Sequence, residues 1–223
     1  MIRDNLKKIL LFVFIFNSVL LYAQKKQLAV ARELLKSGKE LAKAEKSMQT
    51  LLDDSVNRTN TKIWVMLCDV LTKQYEQGNE KLYLKQKYDT AAFFSVTKRM
   101  YETMASFDSV DARLETPTPV SPKYRERHAQ LLNSIRPNLF NGGTYFLHLK
   151  NYKTAYDYFD NYIRTDKQSL FTGYDYEHKD ALMPHAAYWA MYCGYKLKDT
   201  EKTMRHLRLA ERDTSMLNFV RQY

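Results

Sequence analysis

Residues 139–159 read LFNGGTYFLHLKNYKTAYDYF. Leu139, Gly142, Gly143 and Phe146 stand at the three- and four-residue intervals of one helical face. Tyr152 comes three residues before Ala155 and starts a second, aromatic-rich helix in which Ala155 and Phe159 share a face. Small residues opposite large ones let two helices approach closely, the large ones filling the neighbouring hollow. Gly142-Gly143 therefore reads as a helix contact rather than a ligand-binding loop.

Outward from this stretch the chain continues as helix. Toward the C-terminus, a long loop is expected over Asp166–Lys179, after which Pro184 opens the apolar stripe Ala187, Ala190, Met191 and Gly194. Thr203, Leu207 and Ala210 form a further helix. Toward the N-terminus, His128, Leu131, Leu132 and Ile135 mark a helix, and Pro137 begins the next. Pro117, Pro119 and Pro122 make Asp108–Pro122 an extended connection between two lobes, because proline cannot continue a helix. A helix is expected from Glu80 through Phe107, with Tyr88, Ala91, Phe94 and Met104. Ile63, Trp64, Leu67, Cys68 and Leu71 form another that ends before Gly78-Asn79 and is capped by Asn60 or Thr61. From Leu28 to Leu52 an amphipathic stripe turns or kinks at Gly38. No segment alternates as a strand would.

The pattern recurs. Lys87-Tyr88-Asp89-Thr90-Ala91-Ala92-Phe93-Phe94 parallels Asn151 to Phe159, Trp64, Leu67, Cys68 and Leu71 repeat the first-helix spacing, and Ala187, Ala190, Met191 and Gly194 repeat it again. Leu28, Arg32 and Leu35, followed by Ala44 and Met48, form the weakest copy. This order resembles the tetratricopeptide repeat, Trp-x2-Leu-Gly-x2-Tyr then Ala-x3-Phe, with Leu139, Gly142, Gly143 and Phe146 in the first-helix positions and Ala155 and Phe159 matching outright. Ala44, Ala91, Ala155 and Thr203 are separated by 47, 64 and 48 residues, longer than the family's repeat of about 34. The resemblance implies an all-α solenoid of antiparallel helix pairs with irregular repeats, one lobe over 24–107 and a second over 123–223, joined by the Pro-rich linker 108–122.

Composition narrows the function. Only eleven of 223 residues are Gly or Pro, too few for the tight turns of a sandwich or barrel, and two cysteines cannot build a disulfide framework. Arg3, Lys7 and Lys8 precede the uncharged run Ile9–Ala23, shorter than a membrane span and ending in a small residue. Residues 1–23 thus read as a secretory signal peptide, with an uncleaved anchor as the alternative, and the chain as exported, periplasmic or envelope-associated. Without them the formal charge falls from +10 to +8, spread along helices with acidic residues between. A dispersed charge on an exported chain excludes nucleic acid as partner and leaves association with an acidic envelope or membrane surface open.

Chemistry is sparse. His128, His148, His178, His185 and His206 lack metal-ligand spacing, and neither a nucleophile elbow nor a phosphate-binding glycine loop is present. Asp53-Asp54 with Asn57 and Asn60 is turn chemistry rather than a calcium loop. Cys68 and Cys193 fall on apolar stripes as small buried residues. No cofactor, metal or catalytic activity is expected. Ten of the seventeen tyrosines lie between Tyr145 and Tyr195. In the family the chain resembles, the first helix of each pair lines a concave groove. Carried over, this nominates His185, Tyr188, Tyr192 and Tyr195, with Phe140, Thr144 and His148 from the preceding pair and Lys62, Asp69 and Lys73 farther forward. A protein or peptide is the expected occupant, with a glycan as the alternative. Met216, Leu217, Phe219, Val220 and Tyr223 make the C-terminal helix apolar, as a surface docking further repeats or another subunit would be.

Overall fold

Gly38 adopts φ of +66°, the left-handed conformation that closes a helix. It separates α1 (24–37) from α2 (Leu41–Asp53). The computed structural model describes residues 24–114 and 122–220; the expected signal segment 1–23 lies outside them, as do Tyr223 and the side chains of Phe219 and Val220. Among the described residues the regular structure is entirely helical, and none of the helices is long and apolar enough to cross a membrane. The chain continues through α3 (Thr61–Tyr83), α4 (Thr90–Leu114), α5 (Arg125–Ile135), α6 (Pro137–His148) and α7 (Tyr152–Arg164). There follow α8 (Tyr176–Lys179), α9 (Leu182–Lys196), α10 (Thr200–Met204), α11 (Leu207–Ala210) and α12 (Leu217–Val220).

The described residues form two units that divide between Gln77 and Gly78, inside α3. In the first unit, Ala31, Leu41, Ala44, Met48, Ile63, Leu67, Cys68 and Leu71 are buried. The Asn60 side chain accepts the Lys62 backbone N–H at 3.1 Å and so caps α3. Two polar ties join distant parts of this unit: the Gln74 amide donates to Glu45 at 2.7 Å, and that of Gln77 donates to the Gly38 carbonyl at 2.9 Å.

In the second unit two helix boundaries and one loop differ from expectation. The helix expected to stop before Gly78 runs on to Tyr83, because Gly78 leaves room for a ring: a Cβ there would lie 2.9 Å from Tyr88. The break falls instead at Lys85, whose φ is +54°. Next, α4 runs past Phe107 to Leu114, so Asp108–Leu114 is helix and not part of an extended connection; residues 115–121 lie outside the described part. Helix persists because buried Asp108 is neutralised by Arg125, which donates Nε and Nη2 to its two oxygens at 2.8 and 2.9 Å. Finally, the loop 166–179 contains the short helix α8 and two 3₁₀ turns.

From Pro137 onward the helices pack in chain order, α7 against both α6 and α9, and α9 against α10 and α11. The ring contacts set α6 against α7, and α7 against α9, in opposite directions. Phe140 meets Phe159 and Tyr162 while Phe146 meets Tyr158, and Tyr152 meets Tyr192 at the far end of α9 from Met183. The close approaches rest on glycine: a Cβ on Gly143 would lie 2.6 Å from the Phe159 ring, one on Gly142 2.7 Å from Tyr158, and one on Gly194 2.5 Å from the Thr203 backbone nitrogen. Ala155 and Phe159 are fully buried, the latter alone contributing about 1.5–3 kcal/mol of transfer free energy.

Candidate aromatic binding cleft

Both α6 and α9 lie beside α7 and run in the same direction, leaving a furrow between them. On α6 the residues facing it are Phe140, Thr144, Leu147 and His148; on α9 they are His185, Trp189 and Tyr192. Phe140, Thr144 and Leu147 step by four and then three residues, as do His185, Trp189 and Tyr192, which keeps each three on one helical face. Lys150 and Tyr152, from the turn and the start of α7, close one end. The resulting cleft holds about 490 Å³, within the size range of small-ligand and side-chain sites.

His185 organises its wall. Its ring stacks on Phe140 with centroids 6.0 Å apart. The Trp189 indole N–H donates to His185 Nε2 at 3.0 Å, and Nδ1 lies 2.9 Å from Asp213 Oδ2. An indole nitrogen can only donate, so Nε2 is the acceptor and Nδ1 carries the proton toward Asp213. Both imidazole nitrogens are thereby committed within the fold. Burial pushes the Asp213 carboxyl up, but hydrogen bonds from Ser215 and His185 leave it below its ordinary value. Trp189 and Tyr192 meet edge to face at 5.7 Å, as do Tyr192 and Tyr152 at 6.2 Å. Lys150, exposed and with φ of +57°, supplies a permanent charge at the rim, and among the described residues no carboxylate lines the cleft.

Of the residues nominated by sequence, Phe140, Thr144, His148, His185 and Tyr192 come together here. Tyr188 does not: only 5% exposed, it packs edge to face on Trp189 at 4.9 Å and belongs to the core. Tyr195 is exposed beyond the cleft, with the Lys196 ammonium 5.7 Å from its ring centre. Lys62, Asp69 and Lys73 lie on the part of α3 in the first unit, where Lys73 pairs with Glu76 at 3.5 Å. Leu147, Lys150, Tyr152 and Trp189 were not anticipated. The signal for Trp189 was present, since it follows His185 by the four residues that separate Phe140 from Thr144.

Among the described residues no three His, Cys, Asp or Glu side chains gather as a metal site. Cys68 and Cys193 are buried free thiols, and burial pushes Cys193 up to about 12, far from a reactive thiolate. Compared with protein families, with curated proteins and with solved structures, the chain shows no significant match.

Proposed function

We propose that this chain is an exported, non-catalytic scaffold of tetratricopeptide-like helix pairs that holds a peptide segment of a protein partner in the α6/α9 cleft. The observation that carries the reading is the matched spacing of Phe140, Thr144 and Leu147 with His185, Trp189 and Tyr192. Successive first helices present one face each to a common furrow, which is how stacked repeats make a recognition surface. The wall is aromatic and held rigid by the Trp189–His185–Asp213 chain, so seating a side chain orders little that is not ordered already. His185 is spent on structure, which suits binding rather than proton transfer. The apolar run before Gln24 supports export.

Selection of a random peptide library on the immobilised chain tests this. Enriched peptides should carry an aromatic or aliphatic anchor and lose binding when Trp189→Ala or Tyr192→Ala removes the wall. Retention of a soluble polysaccharide with no peptide enriched would replace this reading with the glycan one. N-terminal sequencing of the chain recovered from an envelope fraction should begin near Gln24; a start at Met1 would defeat cleavage.

A further inference from the structure

A second cleft of about 410 Å³ lies on the other side of α9. Met183 faces it from α9, and at 100° per residue that position is turned roughly 180–240° from His185, Trp189 and Tyr192. Its walls are the end of α7 and the stretch from Met204 to Arg212 through α11. The floor is apolar, with Ile163, Met183 and Leu209, and the exposed Met204 adds an adaptable methionine at its edge. Its rim is cationic: Arg164, Lys167, Arg205, Arg208 and Arg212 stand against two carboxylates, Asp166 and Glu177.

The acids already present show what these cations take. Lys167 holds Asp166 at 2.9 Å and Glu177 at 2.7 Å, and Arg212 reaches the same Glu177 at 3.6 Å. Behind the rim, Asp160 receives His206 at 2.8 Å, Arg164 at 3.5 Å and Arg205 at 3.8 Å. Arg208 has no hydrogen bond or ion pair among the described residues. It stands in α11 between Arg205, in the turn after α10, and Arg212, in the turn after α11, so three arginines follow one another along this wall. Arginines along one wall beside an apolar floor fit an anion that also carries apolar side chains: carboxylates pair with the guanidinium forks, and a neighbouring side chain meets the floor.

We propose that this cleft binds an acidic peptide segment in which Glu or Asp alternates with aliphatic or aromatic residues. The site lies apart from the α6/α9 cleft and stands whether or not that cleft binds a peptide. A sugar–phosphate backbone would leave the floor unfilled, and a lipid chain would outrun it.

The probe is a short fluorescein-labelled peptide of Glu, Leu and Gly, titrated with the full chain and followed by anisotropy. Saturable binding that weakens as salt rises is expected, with a loss of about tenfold for Arg208→Glu, because this reversal breaks no native pair. Met204→Asp should weaken binding as well, while Trp189→Ala should leave it unchanged; far-UV circular dichroism confirms that each variant is folded. Absence of binding, equal binding of the Lys-for-Glu peptide, insensitivity to Arg208→Glu, or tighter binding of duplex DNA or phosphatidylglycerol vesicles would each overturn the proposal.

Discussion

The guanidinium carbon of Arg136 lies 3.7 Å from the centre of the Tyr162 ring. Its other face is covered by Tyr176 at 3.9 Å, and its nitrogens donate to the Thr165 hydroxyl, the Tyr162 carbonyl and the Asp180 carboxylate. Arg136 is 5% exposed, so a full charge is buried at the junction of α5, α6, α7 and the loop before α9. Planarity lets the group stack on both sides while donating in its plane. Arg136→Met, which leaves Asp180 without its cation, is expected to cost about 3–5 kcal/mol. Arg136→Lys keeps the charge, loses both stacks and should recover only part. Urea unfolding midpoints at neutral pH measure both; a lysine variant as stable as the parent would show that the stacking contributes nothing.

The helix glycines give a prediction of sign. In an exposed helix Gly→Ala stabilises by about 1 kcal/mol. Here Gly143→Ala places a methyl 2.6 Å from a Phe159 ring carbon, and Gly194→Ala places one 2.5 Å from backbone at Thr203. Both should destabilise, by about 1–3 kcal/mol for the overpacked ring and by more at Gly194, since a ring can tilt and a backbone cannot. Thermal melts of the two single variants settle the order.

These contacts also mark how far sequence reading reached. The α6–α7 pair was legible because its small and large residues face each other within one short stretch. The end of α3 was not, since what makes Gly78 tolerable is the ring of Tyr88, supplied from the loop that follows. The continuation of α4 to Leu114 depends on Arg125, seventeen residues beyond Asp108. On α9 both Tyr188 and Tyr195 fall outside the cleft: Tyr188 and Trp189 are 100° apart, and periodicity alone did not say which faces outward. The ties that fix His185 to Asp213, and Asp160 to His206, join elements far apart in sequence and have no local signature.

Two tyrosines on α7 should respond oppositely to loss of a hydroxyl. Tyr162 donates to Asp180 at 2.5 Å, and burial together with that bond raises its phenol well above the ordinary value. Tyr156 is 2% exposed, its hydroxyl is buried without a hydrogen-bond partner among the described residues, and burial pushes the phenol up to about 12. Tyr162→Phe should cost about 1.5–3 kcal/mol, as a hydrogen bond to a charged group does, whereas Tyr156→Phe should be neutral or stabilising. Denaturation midpoints decide; equal losses would contradict the assignment.

His128 makes stability depend on pH in one direction. Its ring lies against Phe107 and Tyr124, 5.7 and 5.9 Å away, with Nδ1 buried and unpartnered among the described residues. Burial, then the charge of Arg127, lowers it from 6.5 to about 4 against the opposing pull of Asp108 and Asp111. The folded chain therefore keeps the ring neutral at pH values where the unfolded chain takes a proton. Its contribution is intact above pH 6.5, falls as pH drops from 6.5 toward 4, and is constant below, a loss of about 3 kcal/mol at 1.36 kcal/mol per unit. The carboxyls of Asp160 and Asp180, held below their ordinary 3.8, lose their stabilisation only at more acid pH, so the window is that of His128. His128→Phe preserves the stacking and removes both the orphaned nitrogen and the proton. Urea midpoints measured between pH 7 and 4.5 should fall for the parent and stay flatter for the variant, and parallel slopes would assign the acid sensitivity elsewhere.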